Sequence, residues 1–133
     1  VSGYVVDASA AAEYLLRTPL GLKLAPLMED ALLLSPELLD VEVLSVLRRA
    51  VLRGRLAEER ARTALDDLGD WPIVRLSHAS LLEEAWQYRH NFSAYDAFYV
   101  AAAHRYEAPL LTADGPLARA PVPGVVVHNV RID

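Results

Sequence analysis

Cysteine is absent from this 133-residue chain, which excludes disulfides, thiolate metal sites and cysteine nucleophiles. Lysine is nearly absent: twelve of the 13 basic residues are Arg, and Lys23 stands alone. A receiver-type phosphoacceptor domain needs a lysine near the end of a late strand, so a single early lysine fits it poorly. No glycine-rich Lys motif is present, which excludes a P-loop enzyme. A haloacid-dehalogenase-like phosphatase needs a second Asp two residues after its nucleophile, and here Ser9 follows Asp7 at that spacing. No apolar run reaches the roughly 18 residues that span a bilayer. Residues 1–7 have neither a basic segment nor a long apolar core, so they do not read as a secretory signal, and a cytoplasmic protein is expected. Positive charge is also short. The formal charge of −5 speaks, at face value, against a nucleic-acid partner. His78, His90, His104 and His128 have no paired ligand spacing, so surface roles read ahead of a zinc site.

What remains is a folded α/β pattern. Apolar residues make up 53% and charged residues 23%, a globular balance at a length suited to one domain, taken as 1–133. Short apolar strands alternate with helical stretches, which implies a parallel sheet. Strands are expected at 4–6, 72–76, 109–112 and 125–130, and 31–34 reads as a strand or a helix tail. Helices are expected from Ser9 as cap to residue 17, over 19–30 with a kink or split at Pro26, and over 36–53. The last has Ser35 as cap, Pro36 in the first turn and Gly54 as stop. Further helices fit 57–68 closed by Gly69, 78–90 behind Ser77, 94–106 behind Ser93, and a short piece at 117–120 after the turn Asp114-Gly115-Pro116.

Four carboxylates stand out by position. Asp7 ends the first strand, Asp114 lies just beyond a later one, and Asp96 opens a helix. In open α/β sheets, ligands sit at the carboxyl ends of the strands, and these three acids would converge there. Glu42 lies inside a helix. At about 100° per residue, Leu38 and Val46 fall about 40° to either side of it, so it edges a core-facing stripe and needs a partner. Each acid also has a plain reading. Asp7 could cap a helix, Asp96 fits Ser93-x-x-Asp96 capping, Asp114 suits a turn, and Glu42 could pair with Arg49 or Arg53. Those readings do not explain why all four share one edge. Mg²⁺ and Mn²⁺ prefer oxygen ligands. Two such ions about 4 Å apart can activate water and stabilise the leaving oxygen in phosphodiester cleavage.

Val5-Val6-Asp7-Ala8-Ser9, Pro36-Glu37-Leu38-Leu39-Asp40-Val41-Glu42, Tyr95-Asp96-Ala97-Phe98-Tyr99-Val100-Ala101-Ala102-Ala103 and Leu111-Thr112-Ala113-Asp114 occur in that order. This ordered set resembles the PIN domain, most closely the VapC toxins of toxin–antitoxin pairs, over nearly the whole chain. The resemblance implies a three-layer α/β/α fold with a short parallel sheet. It implies a Mg²⁺- or Mn²⁺-dependent endoribonuclease acting on tRNA, rRNA or mRNA, a homodimer, and a cognate VapB-type antitoxin. By position, Asp7, Glu42, Asp96 and Asp114 match the family's acidic quartet, catalytic and metal-binding. Ser9 and Thr112 match the hydroxyl positions beside it, and Asp114 is the acid that acts through water or on a second ion. Setting aside four site carboxylates takes the charge from −5 to −1, which weakens the objection to RNA. Arg49, on the face of Glu42, and Arg119, just beyond Asp114, are the candidate RNA contacts, although a basic run is also what a solvated face looks like. The alternative is a catalytically inactive PIN-like module that binds RNA or protein.

Overall fold

The structure is a computed structural model that describes residues 3–120, 122 and 124–129. Five parallel strands, β1 (Gly3–Val6), β2 (Leu32–Pro36), β3 (Val74–Leu76), β4 (Leu110–Thr112) and β5 (Val127–Asn129), form one sheet in the order β3-β2-β1-β4-β5. Val130, the end of the expected last strand, lies outside the described residues.

Successive residues of a strand face opposite sides, and here both sides are apolar. Val6, Leu33 and Leu111 point into one core with helices α1 (Ala8–Leu16), α2 (Pro19–Glu29), α3 (Leu38–Leu52) and α4 (Glu58–Asp70). Val5, Leu34 and Leu110 point into the other, with α5 (His78–Gln87), α6 (Ala94–Arg105) and α7 (Gly115–Arg119). The expected three-layer α/β/α architecture follows from this alternation. β1 is central: its chain neighbour β2 lies on one side and the distant β4 on the other, so the strand order switches direction beside the end of β1. Among the described residues no helix is long and apolar enough to cross a membrane.

Several local expectations are corrected. Ser35 and Pro36 do not start α3. They end β2, where the Ser35 hydroxyl donates to the Val6 carbonyl at 2.9 Å, and the cap position falls to Glu37, which makes no side-chain cap bond. Helix α2 is not split at Pro26. The carbonyl that Pro26 leaves without a helical partner belongs to Leu22, which is exposed to water. Gly69 lies within α4 rather than closing it, and α5 stops at Gln87, three residues short of its expected end at His90. Asp7, not Ser9, caps α1 by accepting the Ala10 N–H at 3.0 Å. Ser93 does cap α6, accepting the Asp96 N–H at 3.2 Å.

Candidate active site

A cleft of about 300 Å³ opens at the carboxyl end of the sheet, and Asp7, Glu42, Asp96 and Asp114 all line it. Each arrives on a different element: Asp7 between β1 and α1, Asp114 between β4 and α7, Asp96 in the first turn of α6, and Glu42 in the second turn of α3. From α3 the cleft also receives Ser45, Val46 and Arg49, the i+3, i+4 and i+7 positions from Glu42 on one helical face.

Asp7 is the most confined acid, at 4% exposure. Its Oδ1 accepts the Ser9 hydroxyl at 2.7 Å and the Ala10 N–H at 3.0 Å, and its Oδ2 accepts the Thr112 hydroxyl. Burial pushes its carboxyl up to about 6; the bonds from Thr112, Ala10 and Ser9 oppose that rise, and the Asp114 charge adds to it. Ser9 and Thr112 also tie the two strand ends together. Ser9 Oγ accepts the Ala113 N–H at 2.8 Å, and Thr112 Oγ1 accepts the Asp114 N–H at 2.9 Å. The two hydroxyls expected beside the acids therefore fix both Asp7 and the backbone that carries Asp114.

Glu42 forms no contact ion pair with Arg49 or Arg53, the arginines open to it in the sequence. Its Oε1 accepts the Tyr99 hydroxyl at 2.7 Å. Burial pushes its carboxyl up and Asp96 adds to that, against the Tyr99 bond and the Arg49 charge. Tyr99 is fully buried, and burial beside Glu42 holds its phenol well above the usual range, so it stays a protonated donor. Asp96 is raised by burial and then by Asp114. The carboxylates thus oppose one another's ionisation in pairs: Asp7 with Asp114, Glu42 with Asp96, and Asp96 with Asp114.

Tyr99 is not among the site residues expected from the sequence. The signal for its role is the spacing of three from Asp96, which sets both on neighbouring positions of one α6 face. Arg49 lines the cleft with its guanidinium donating to Ser45 Oγ at 3.2 Å. Arg119 does not line it. Its guanidinium folds back over Gly115, where a Cβ would stand 2.7 Å from Nη1.

Among the described residues no three carboxylate or imidazole groups are close enough to enclose a metal ion by themselves. The cleft is instead an all-oxygen donor set, partly desolvated and mutually repelling, with room for water. That suits a hard divalent ion that keeps several of its waters, and such an ion would relieve the repulsion.

The chain matches the PIN domain family over residues 4–123. It is 44% identical over 119 residues to ribonuclease VapC1 of Mycobacterium tuberculosis, covering 88% of this chain and 90% of that protein. Two solved structures share the fold. VapBC2 of Rickettsia felis, bound to a DNA fragment from their promoter, superposes with a TM-score of 0.66 at 12% identity, covering 95% of this chain and 97% of that one. VapC20 of M. tuberculosis, a sarcin-ricin loop cleaving toxin, superposes with a TM-score of 0.66 at 20% identity, covering 92% and 98%.

Proposed function

The chain belongs to the VapC branch of the PIN-domain family, and on that premise we propose that it is an endoribonuclease, the toxin of a toxin–antitoxin pair. The observation that carries this reading is the convergence of Asp7, Glu42, Asp96 and Asp114 on one cleft at the sheet's carboxyl end. With the acidic set complete, the alternative of an inactive RNA- or protein-binding module is not favoured.

Asp7, Glu42 and Asp96 would hold Mg²⁺ or Mn²⁺, with Asp114 acting through water or on a second ion. The bound metal supplies Lewis acidity at the phosphate and lowers the pKa of water. The residues of the chain do the rest. Ser9, Thr112 and the Ala10 amide orient Asp7, and Tyr99 orients Glu42. Arg49, at the cleft, is suited to grip a substrate phosphate, and Arg119 would meet the RNA further out, beyond Asp114. Water attacks phosphorus, the P–O3′ bond breaks, and the products carry 5′-phosphate and 3′-hydroxyl ends. No nucleophilic side chain is required.

A VapB-type antitoxin is the proposed partner, supported by the likeness in fold to the VapBC2 toxin–antitoxin assembly. A homodimer and a cytoplasmic location complete the reading. The test is end analysis of RNA cut in Mg²⁺, Mn²⁺ or EDTA. Metal-dependent products with 5′-phosphate ends support the proposal; cleavage in EDTA or 2′,3′-cyclic phosphate products refute it.

A further inference from the structure

Helix α3 carries Glu42, yet its own cap residue, Glu37, makes no side-chain cap bond. A helix start leaves several N–H groups without intrahelical partners. Two of them here are met from outside the helix. The Glu37 N–H donates to the Leu76 carbonyl at 3.0 Å, and the Leu38 N–H donates to His78 Nε2 at 2.8 Å. The cap of α3 is therefore a side chain 40 residues away, at the first position of α5. An Nε2 that accepts an amide proton must carry its lone pair, so the imidazole is neutral with the proton on Nδ1.

The same ring packs on Phe98 of α6, with centroids 4.9 Å apart at 40°. Phe98 lies two residues beyond Asp96 and next to Tyr99, which bonds Glu42. Leu38 and Glu42 are four apart, on one face of α3. A closed circuit results: His78 holds Leu38, Leu38 sets the turn bearing Glu42, Glu42 meets Tyr99, and Phe98 returns to His78. We propose that His78 is a positioning residue for the acidic cleft, capping α3 while packed on α6 and so fixing Glu42 relative to Asp96. This rests on the nuclease reading above and adds a residue that supports its cleft from outside.

The experiment compares wild type, His78→Phe and His78→Gln. Phe keeps the ring against Phe98 but has no acceptor, whereas Gln restores a side-chain acceptor. Three readouts are taken: Mn²⁺ affinity by calorimetry, hydrogen exchange of the Leu38 amide, and the wild-type imidazole tautomer by nitrogen NMR. For His78→Phe, Mn²⁺ affinity should fall about tenfold and Leu38 exchange should accelerate by a similar factor, with His78→Gln within about threefold of wild type in both. The wild-type tautomer should be Nδ1–H, a reading that does not depend on either variant folding. Wild-type Mn²⁺ affinity in His78→Phe, no rescue by Gln, or an Nε2–H tautomer overturns the inference while leaving the nuclease reading intact. Wild type that neither binds Mn²⁺ nor cuts RNA overturns both.

Discussion

Asp7→Asn should abolish cleavage and yet stabilise the metal-free protein. Burial raises the Asp7 carboxyl from 3.8 to about 6. Between those values the folded state holds a proton that the unfolded chain has released, so stability falls as pH rises through the window and stays lower above it. At about 1.4 kcal/mol per pH unit, the ionised carboxylate costs the metal-free fold on the order of 3 kcal/mol at neutral pH. Asparagine removes that charge and can keep an oxygen for the Ser9 hydroxyl and the Ala10 N–H. Its amide nitrogen then faces Thr112, which must turn its hydroxyl while still accepting from Asp114; a misfit there costs about 1 kcal/mol. The net gain is about 2 kcal/mol, or roughly 5–10 °C in Tm for a domain of this size. The assay is thermal unfolding in EDTA at pH 7.5 and 4.5. The gain should be present at pH 7.5 and shrink towards zero at pH 4.5, where folded wild type is itself protonated at Asp7. Asp7→Asn less stable than wild type at pH 7.5, or an equal difference at both pH values, would show that the buried Asp7 carboxylate does not destabilise the metal-free fold.

Tyr99→Phe deletes one buried hydroxyl and leaves Glu42 without its donor, so stability should fall by about 1.5–3 kcal/mol and Mn²⁺ affinity about tenfold, measured by denaturant titration and calorimetry; unchanged metal affinity would release Tyr99 from the site. Arg75 grips Asp40 through Nε at 2.9 and 3.0 Å and donates to the Leu68 carbonyl at 2.7 Å, joining α3 to the end of α4. Because the Asp40 side chain is 43% exposed the ion pair is screened, so Arg75→Ala should cost about 1–2 kcal/mol in denaturant titration, with RNA cleavage preserved at low temperature. At Gly21 a Cβ would stand 1.9 Å from the Glu13 carbonyl oxygen. Gly21→Ala must therefore push α2 off α1, at a cost of about 3 kcal/mol or more, read as lost soluble yield or a lowered Tm.

The features legible in the sequence were local. Strand alternation, the Ser93 cap and the strand-end placement of Asp7 and Asp114 each depend on residues near in the chain, and the sheet then brings the acids together. Most of the misread features depend on contacts between distant residues. Ser35-Pro36 has the residue pattern of a helix start, but the Ser35 hydroxyl is claimed by Val6 in the neighbouring strand. Pro26 suits a break, but the residue whose carbonyl it strands, Leu22, is exposed to water, and the helix continues. The partner of Glu42 is Tyr99, 57 residues on, and the cap of α3 is His78, 40 residues on. Ser9 reaches the Ala113 backbone across 104 residues. Propensity and periodicity carry no information about such pairs, which exist only once β4 lies beside β1 and α6 beside the sheet.

On the proposed function, the four acids of the cleft form a metal-dependent nuclease site. The most direct measurement is cleavage of a total tRNA and rRNA pool by wild type and Asp96→Asn, each with Mg²⁺, Mn²⁺ or EDTA. Cleavage by wild type with metal only, and none by Asp96→Asn, is the predicted result. Equal cleavage by both proteins, or cleavage that survives EDTA, would contradict it.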